Sequence, residues 1–168
     1  MRLAYADPPY LGCCDRYTHH HQVPYGCWDD PDTHQALVDR LCDEFEDGWA
    51  MSASAPSLRT IWPMCPEDSR VAVWTKTFAV FKPNVNPGYC WEPVIWWRGR
   101  KGGRDVATVR DWFTGPITLR KGLIGAKPEF FCRAVLNLLG YVEGDELVDL
   151  FPGTGVLGRV AAQGVFRV

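Results

Sequence analysis

Residues 147–158 read Leu-Val-Asp-Leu-Phe-Pro-Gly-Thr-Gly-Val-Leu-Gly. An apolar run, Leu147 to Leu150, enters a turn carrying Gly153 and Gly155 and leaves it in a helix-like apolar stretch, Val156 to Ala162. Strand, glycine turn and helix in immediate succession is the unit from which α/β sheets are wound. Glycine at these positions permits positive φ and close backbone approach to a ligand. The turn would set backbone N–H groups at a helix N-terminus, an arrangement that suits a carboxylate. A nicotinamide-binding turn is the alternative. It is disfavoured because that motif places a ribose-binding acid about 20 residues further on, and the sequence stops at Val168.

The other end of the chain carries a second signal. The apolar run Leu3-Ala4-Tyr5-Ala6 reads as a buried strand, and Asp7-Pro8-Pro9-Tyr10 stands at its carboxyl end. In open α/β sheets ligands bind at that edge. Two prolines fix φ and remove two N–H donors, which leaves a stiff turn with carbonyl acceptors. Asp7 accepts hydrogen bonds and Tyr10 offers a flat ring. These groups suit a planar ring bearing an exocyclic amine. An aromatic amine is a poor nucleophile because its lone pair is delocalised. The Asp7 carboxylate and the Pro8 carbonyl can hold its two N–H bonds and draw the nitrogen towards tetrahedral geometry, which is catalysis by positioning and electrostatics. An ordinary strand-to-loop turn is the competing reading, since Asp and Pro are common turn residues.

The tetrapeptide resembles the catalytic motif of the amino-methyltransferases, which methylate adenine or cytosine amines with S-adenosylmethionine. Asp149-x-Phe151-x-Gly153-x-Gly155 looks like the cofactor loop of the same family. Between them lies Gly125-Ala126-Lys127-Pro128-Glu129, ahead of an amphipathic stretch, Phe130 to Leu139. Pro128 fits a helix start and Gly140 a helix stop. The resemblance implies that Lys127 approaches the methionine carboxylate of the cofactor. It also implies cofactor contacts from Ala6, Asp7, Asp149, Phe151, Pro152, Gly153, Thr154, Gly155 and Val156, and catalytic roles for Asp7, Pro8, Pro9 and Tyr10. The order of the pieces is the permuted order of the beta-type DNA adenine methyltransferases, and also that of the RNA adenine methyltransferases with Asp-Pro-Pro-Trp. Tyr10 and the Phe-x-Gly-x-Gly loop favour the DNA branch. The implied fold class is α/β, a Rossmann-like methyltransferase sheet with permuted motif order and a minimal C-terminal part. Family members continue past the cofactor loop with a strand that carries a ribose-binding acid. Here Gly164 to Val168 reads as that strand with no acid at its end.

Charge is distributed unevenly. The formal net charge is −2, unlike that of a generic nucleic-acid binder. Asp29 to Asp47 holds eight acidic residues against one arginine, whereas Arg98 to Lys127 holds eight Lys or Arg against two Asp. A basic segment in an acidic protein is an electrostatic footprint for phosphate. Arg98, Arg100, Lys101 and Arg104, in a glycine-rich run read as a mobile loop, are the candidate nucleic-acid contacts, and Trp112 and Phe113 are candidates for base stacking. The competing reading is a solvated loop followed by two core aromatics.

A chain of 168 residues is a single-domain length, long enough for a sizeable core. No hydrophobic stretch of about 18 residues is present, and the N-terminus lacks a signal-peptide pattern. The seven cysteines form no Cys-x-x-Cys and read as reduced cytosolic thiols. His19-His20-His21 lacks matching Cys or carboxylate spacing, so no metal site is expected and a polar lid is. Helices are expected over 31–47 and 57–65, with His34 on a solvent face. Strands are expected over 49–53, 71–76 and 91–97, the last near a sheet edge because of Pro93. Residues 77–90 form the loop that shapes a base pocket in the family, and 98–124 replaces a target-recognition domain.

The implied function is methyl transfer to adenine N6 in DNA, with a flipped or single-stranded base and S-adenosylmethionine as cofactor. A homodimer or partner subunit could complete the cofactor side. The alternatives are cytosine N4, adenine in RNA, or a non-catalytic nucleic-acid-binding subunit.

Overall fold

A computed structural model of the chain describes residues 1–14, 28–79, 83–104, 106–118 and 125–164. The described residues form six strands and four helices, in the order β1 (Arg2–Ala6), α1 (Pro31–Glu44), β2 (Gly48–Ser52), α2 (Leu58–Ile61), β3 (Arg70–Lys76), β4 (Trp91–Arg98), β5 (Trp112–Gly115), α3 (Glu129–Leu139), β6 (Glu146–Asp149) and α4 (Val156–Ala162). A 3-10 turn, Trp62–Met64, follows α2 with Pro63 early in it.

The strands form one sheet in the order β5-β3-β4-β2-β1-β6. β1 pairs in parallel with β2 and β6, and β3 in parallel with β5, while β4 runs antiparallel to both its neighbours. The first and last of the described strands are therefore side by side, with Tyr5 opposite Asp149.

Alternation along the strands feeds two cores. Leu3, Tyr5, Trp74, Val94 and Trp96 face α3, which buries Phe131, Cys132, Val135, Leu136 and Leu139 against them. Ala4, Ala6, Trp49, Met51, Ile95 and Trp97 face α1 and its Leu37, Val38 and Leu41, with Phe45 just beyond. A sheet covered on both faces explains why every residue of β2 is buried. The helix ends match capping chemistry. Asp30 accepts from the Asp32 N–H with Pro31 in the first turn, and Gly140 closes α3 at φ 63°.

Four expectations change. β4 is central, with Pro93 opposite Val73. The Val73 N–H donates to the Asp111 carbonyl, so this pair exchanges no bond with β4. The imide nitrogen of Pro93 points instead towards β2, whose last paired residue is Ser52. The Ala53 N–H still donates to the Pro93 carbonyl at 3.1 Å, so the missing donor costs only the return bond of that last pair. His34 is buried, 3% exposed, and its Nε2 bonds the Trp28 carbonyl at 2.9 Å. The segment read as an insert contains strand β5. Phe113 belongs to the α3 core, its ring 5.6 Å from that of Phe131, whereas Trp112 is 52% exposed.

Candidate active site at the carboxyl edge of the sheet

The carboxyl ends of β1, β2, β3 and β6 lie along one edge, and the antiparallel β4 brings its first residues to the same edge. Asp7 comes directly after β1, and Pro8 and Pro9 are buried beneath the turn. The turn closes with the Cys13 N–H on the Tyr10 carbonyl at 2.9 Å. Asp29 secures the next residues, accepting from the N–H groups of Gly12 and Cys14 at 2.8 and 3.1 Å. Lys76 ends β3, Glu92 stands at the start of β4, and Lys127 precedes α3.

These residues meet. Lys127 Nζ donates to Asp7 Oδ1 at 2.8 Å and to the Tyr10 hydroxyl at 3.0 Å. The Tyr10 hydroxyl donates to Glu92 Oε2 at 2.9 Å and stands 3.4 Å from Asp7 Oδ1. Lys76 Nζ holds the other Glu92 oxygen. The four charged side chains are 10–20% exposed, so removing any one of them would strand its partner as a costly buried charge. Their charges cancel.

Position decides how each acid titrates. Burial raises Asp7 above the ordinary carboxylate range even though Lys127 opposes the shift. Glu92 is also penalised by burial, but Lys127 and Lys76 together hold it below its ordinary value. Burial drives the Tyr10 hydroxyl well up, and the neighbouring Asp7 and Glu92 charges add to the shift, so it stays a neutral donor. Asp149, one strand away, is pushed up to about 6 by burial, helped by Asp7 and opposed by the Phe151 N–H.

The second half of the edge is the glycine turn after β6. The Phe151 N–H donates to Asp149 Oδ1 at 3.2 Å and the Gly155 N–H to the Pro152 carbonyl at 2.6 Å. Gly153 and Gly155 take φ of 45° and 68°, the left-handed region that favours glycine. A Cβ on either would meet nothing closer than 3.6 Å, so the turn needs glycine for its conformation and its lip is open. Arg159 braces it through the Thr154 carbonyl at 2.7 Å. Phe151 packs edge-on against Trp28 with centroids 5.3 Å apart, and Trp28 Nε1 is buried without an acceptor among the described residues. α4 is only seven residues long and the N–H of its cap, Gly155, is already engaged. A carboxylate seat on that helix N-terminus is thus weaker than the sequence suggests.

Asp7, Pro8, Pro9, Tyr10, Lys127, Asp149 and the 151–156 turn therefore share one edge, with Ala6 fully buried beneath Asp7. Lys127 lies on Asp7 and Tyr10, with Glu92 Oε2 3.7 Å away. The basic residues lie elsewhere. Arg98 ends β4 opposite Gly48, at the other edge of the sheet, about 20 Å from Glu92 at ~3.3 Å per strand residue. It stacks 3.9 Å from the Trp97 ring and bonds the Glu46 carbonyl. Arg100 chelates Asp145 at 2.7 and 2.9 Å. Gly99 passes so close to α3 that a Cβ would sit 2.8 Å from the Leu139 carbonyl oxygen. Lys101 and Arg104 are exposed on the loop beyond, which with the α3 C-terminus encloses a cavity of about 280 Å³ at that same far edge. The histidine run 19–21 and all but Gly164 of the candidate terminal strand, residues 164–168, lie outside the described residues.

Sequence reasoning missed Glu92 and Lys76. The available signal was a carboxylate near the start of the otherwise apolar run 91–97, the kind of charge a buried strand carries only with a partner.

No protein-family model and no curated protein matches the sequence. Solved structures do. The M1.HpyAVI–SAM complex aligns with TM-score 0.59 and 14% identity over 96% of this chain and 78% of that one. TTHA0409 of Thermus thermophilus, a candidate DNA modification methylase, aligns with TM-score 0.54 and 16% identity over 97% and 76%. Its complex with S-adenosyl-L-methionine aligns at 0.53 and 15% over 99% and 79%. At these identities the likeness is one of fold: the chain has the mixed α/β fold of these methyltransferase structures.

Proposed function

We propose that this chain is an S-adenosylmethionine-dependent methyltransferase acting on the exocyclic N6 amine of adenine in DNA. The observation that carries the reading is the adjacency of β1 and β6, which sets Asp7 and Tyr10 beside Asp149 and the open glycine turn. A candidate acceptor site and a candidate cofactor turn, from opposite ends of the chain, thus share one edge. The fold likeness to structures solved with this cofactor supports it.

The residues present fit the cofactor. An open glycine turn, a buried carboxylate at Asp149, a Trp28 N–H with no acceptor among the described residues and the Lys127 ammonium make a mixed set of donors and acceptors suited to an amino-acid head and a nucleoside. S-adenosylmethionine, when bound, supplies an electrophilic methyl group on a sulfonium. The rest falls to the chain. Ionised Asp7 and the Pro8 carbonyl accept the two amine N–H bonds and aim the lone pair, while Tyr10 supports the ring by stacking. Asp7 also stabilises the positive charge that develops on nitrogen and takes, along its hydrogen bond to the amine, the one proton the nitrogen sheds as it gains the methyl group. A paired base cannot reach this edge, so the target adenine leaves the stack.

The test is transfer of labelled methyl from S-adenosylmethionine to DNA, RNA and protein, followed by nucleoside analysis. The reading requires label in N6-methyladenine from DNA. Label in N4-methylcytosine or in RNA would reassign the substrate, and absence of cofactor binding at millimolar concentration in calorimetry would make the chain non-catalytic.

A further inference from the structure

Glu92 belongs to no motif, yet it is the group that holds Tyr10. The Tyr10 hydroxyl has one proton and two carboxylates in reach, Glu92 Oε2 at 2.9 Å and Asp7 Oδ1 at 3.4 Å. The shorter contact takes the proton. Glu92 is well placed to win it. It sits on β4 in the middle of the sheet, paired opposite Trp74, and its side chain is 16% exposed and anchored by Lys76. Tyr10, by contrast, is on a loop. A rigid strand residue thus fixes a loop residue whose ring the proposed reaction uses for stacking.

We infer that Glu92 is a positioning residue that sets the Tyr10 ring and keeps the Tyr10 hydroxyl off Asp7, leaving to the target amine Oδ2 and the Oδ1 lone pair that Lys127 does not take. Lys76 serves the same end by holding Glu92 in place. Without Glu92 the hydroxyl turns to Asp7 Oδ1, which loses a lone pair, and the ring turns with it. The inference rests on reading Asp7 to Tyr10 as the amine site, but its structural half does not.

Two measurements separate the halves. The first tracks the ring resonances of Tyr10 by NMR in tyrosine-labelled protein, with no substrate present. They shift in Glu92→Ala and return towards wild type in Glu92→Gln, which keeps an acceptor for the hydroxyl. Unchanged Tyr10 resonances in Glu92→Ala overturn the inference whatever the protein's activity. Where Glu92→Ala fails to fold because Lys76 is left buried alone, Glu92→Ala/Lys76→Met takes its place. The second is methyl transfer. Glu92→Ala lowers kcat about 30- to 100-fold, the scale of a misplacement of about 1 Å, with the KM for S-adenosylmethionine within about twofold. Glu92→Gln restores most of the rate. In a Tyr10→Phe background, where there is no hydroxyl to hold, Glu92→Ala adds less than about threefold by the logic of a double-mutant cycle. Equal losses in both backgrounds would overturn the inference. A wild-type protein that transfers no methyl group, with the Tyr10 resonances responding as expected, would refute the proposed function and leave Glu92 as the residue that orients Tyr10.

Discussion

The two edges of the sheet use the same residue types for different ends. At the carboxyl edge Lys76, Lys127, Asp7 and Glu92 are at most 20% exposed and interlock through Tyr10. At the opposite edge Arg2 and Glu146 pair at 46% and 61% exposure, and Arg70 and Asp111 at 66% and 54%. Coulomb's law is the same at both, but solvent screens the second set. Burial, which composition does not report, turns one charge cluster into a device and leaves these far-edge pairs as surface; Asp145, 5% exposed between the Met1 ammonium and Arg100, is the buried exception at that edge. The basic run 98–104 looks like the functional charge cluster in the sequence. Its first two arginines instead fasten the chain to Trp97 and Asp145.

The contrast can be broken by removing one charge from each edge. Lys127→Met leaves Asp7 buried without its cation, and loss of one partner of a buried pair costs about 3–5 kcal/mol. The midpoint of urea unfolding should fall accordingly, and Lys127→Met/Asp7→Asn should recover most of the loss. Next in size is Asp149. Its carboxyl is raised from 3.8 to about 6, so the folded state binds the proton more tightly than the unfolded chain does. This favours folding fully below pH ~4 and is lost as pH rises through about 6, a change of about 2–3 kcal/mol at ~1.4 kcal/mol per pH unit. Asp149→Asn keeps an acceptor for the Phe151 N–H. It should unfold at higher urea than wild type at pH 8 and flatten the decline between pH 4 and 6. The smallest effects belong to the far edge. Glu146→Gln removes an exposed pair and should change stability by less than about 0.5 kcal/mol. Lys101→Ala/Arg104→Ala should change kcat/KM for DNA less than about threefold near physiological salt, where isolated surface charges are largely screened. A large loss there would mean that DNA wraps to the far edge.

Local signals were the legible ones in the sequence. Asp7 to Tyr10 and the 149–155 turn each concentrate their signal in a few consecutive residues, because a strand end and a glycine turn are short-range structures. β1, α1, β3, α3 and β6 are readable from periodicity and caps for the same reason. The features that escaped depend on partners far away in sequence. Glu92 reaches Tyr10 across 82 positions. Lys127 reaches Asp7 across 120, so its choice of carboxylate could not be read locally. Pro93 looks like an edge residue until β2 is known to end at Ser52 beside it. His34 looks exposed on an acidic helix until Trp28 folds under it. The strand Trp112–Gly115 is four residues long, within a glycine-rich basic stretch, and only its neighbour β3 makes it a strand.

If the buried carboxyl edge performs the chemistry, Asp7 is the residue whose loss costs most. Single-turnover transfer of labelled methyl from S-adenosylmethionine to adenine-containing DNA tests it most directly, comparing wild type with Asp7→Asn and Asp7→Ala whose folds are checked by circular dichroism. Both variants should fold and retain cofactor binding, with transfer reduced about 10³-fold or more, the scale of losing a principal electrostatic contact. Transfer at the wild-type rate in a folded Asp7→Ala protein would contradict that role for Asp7.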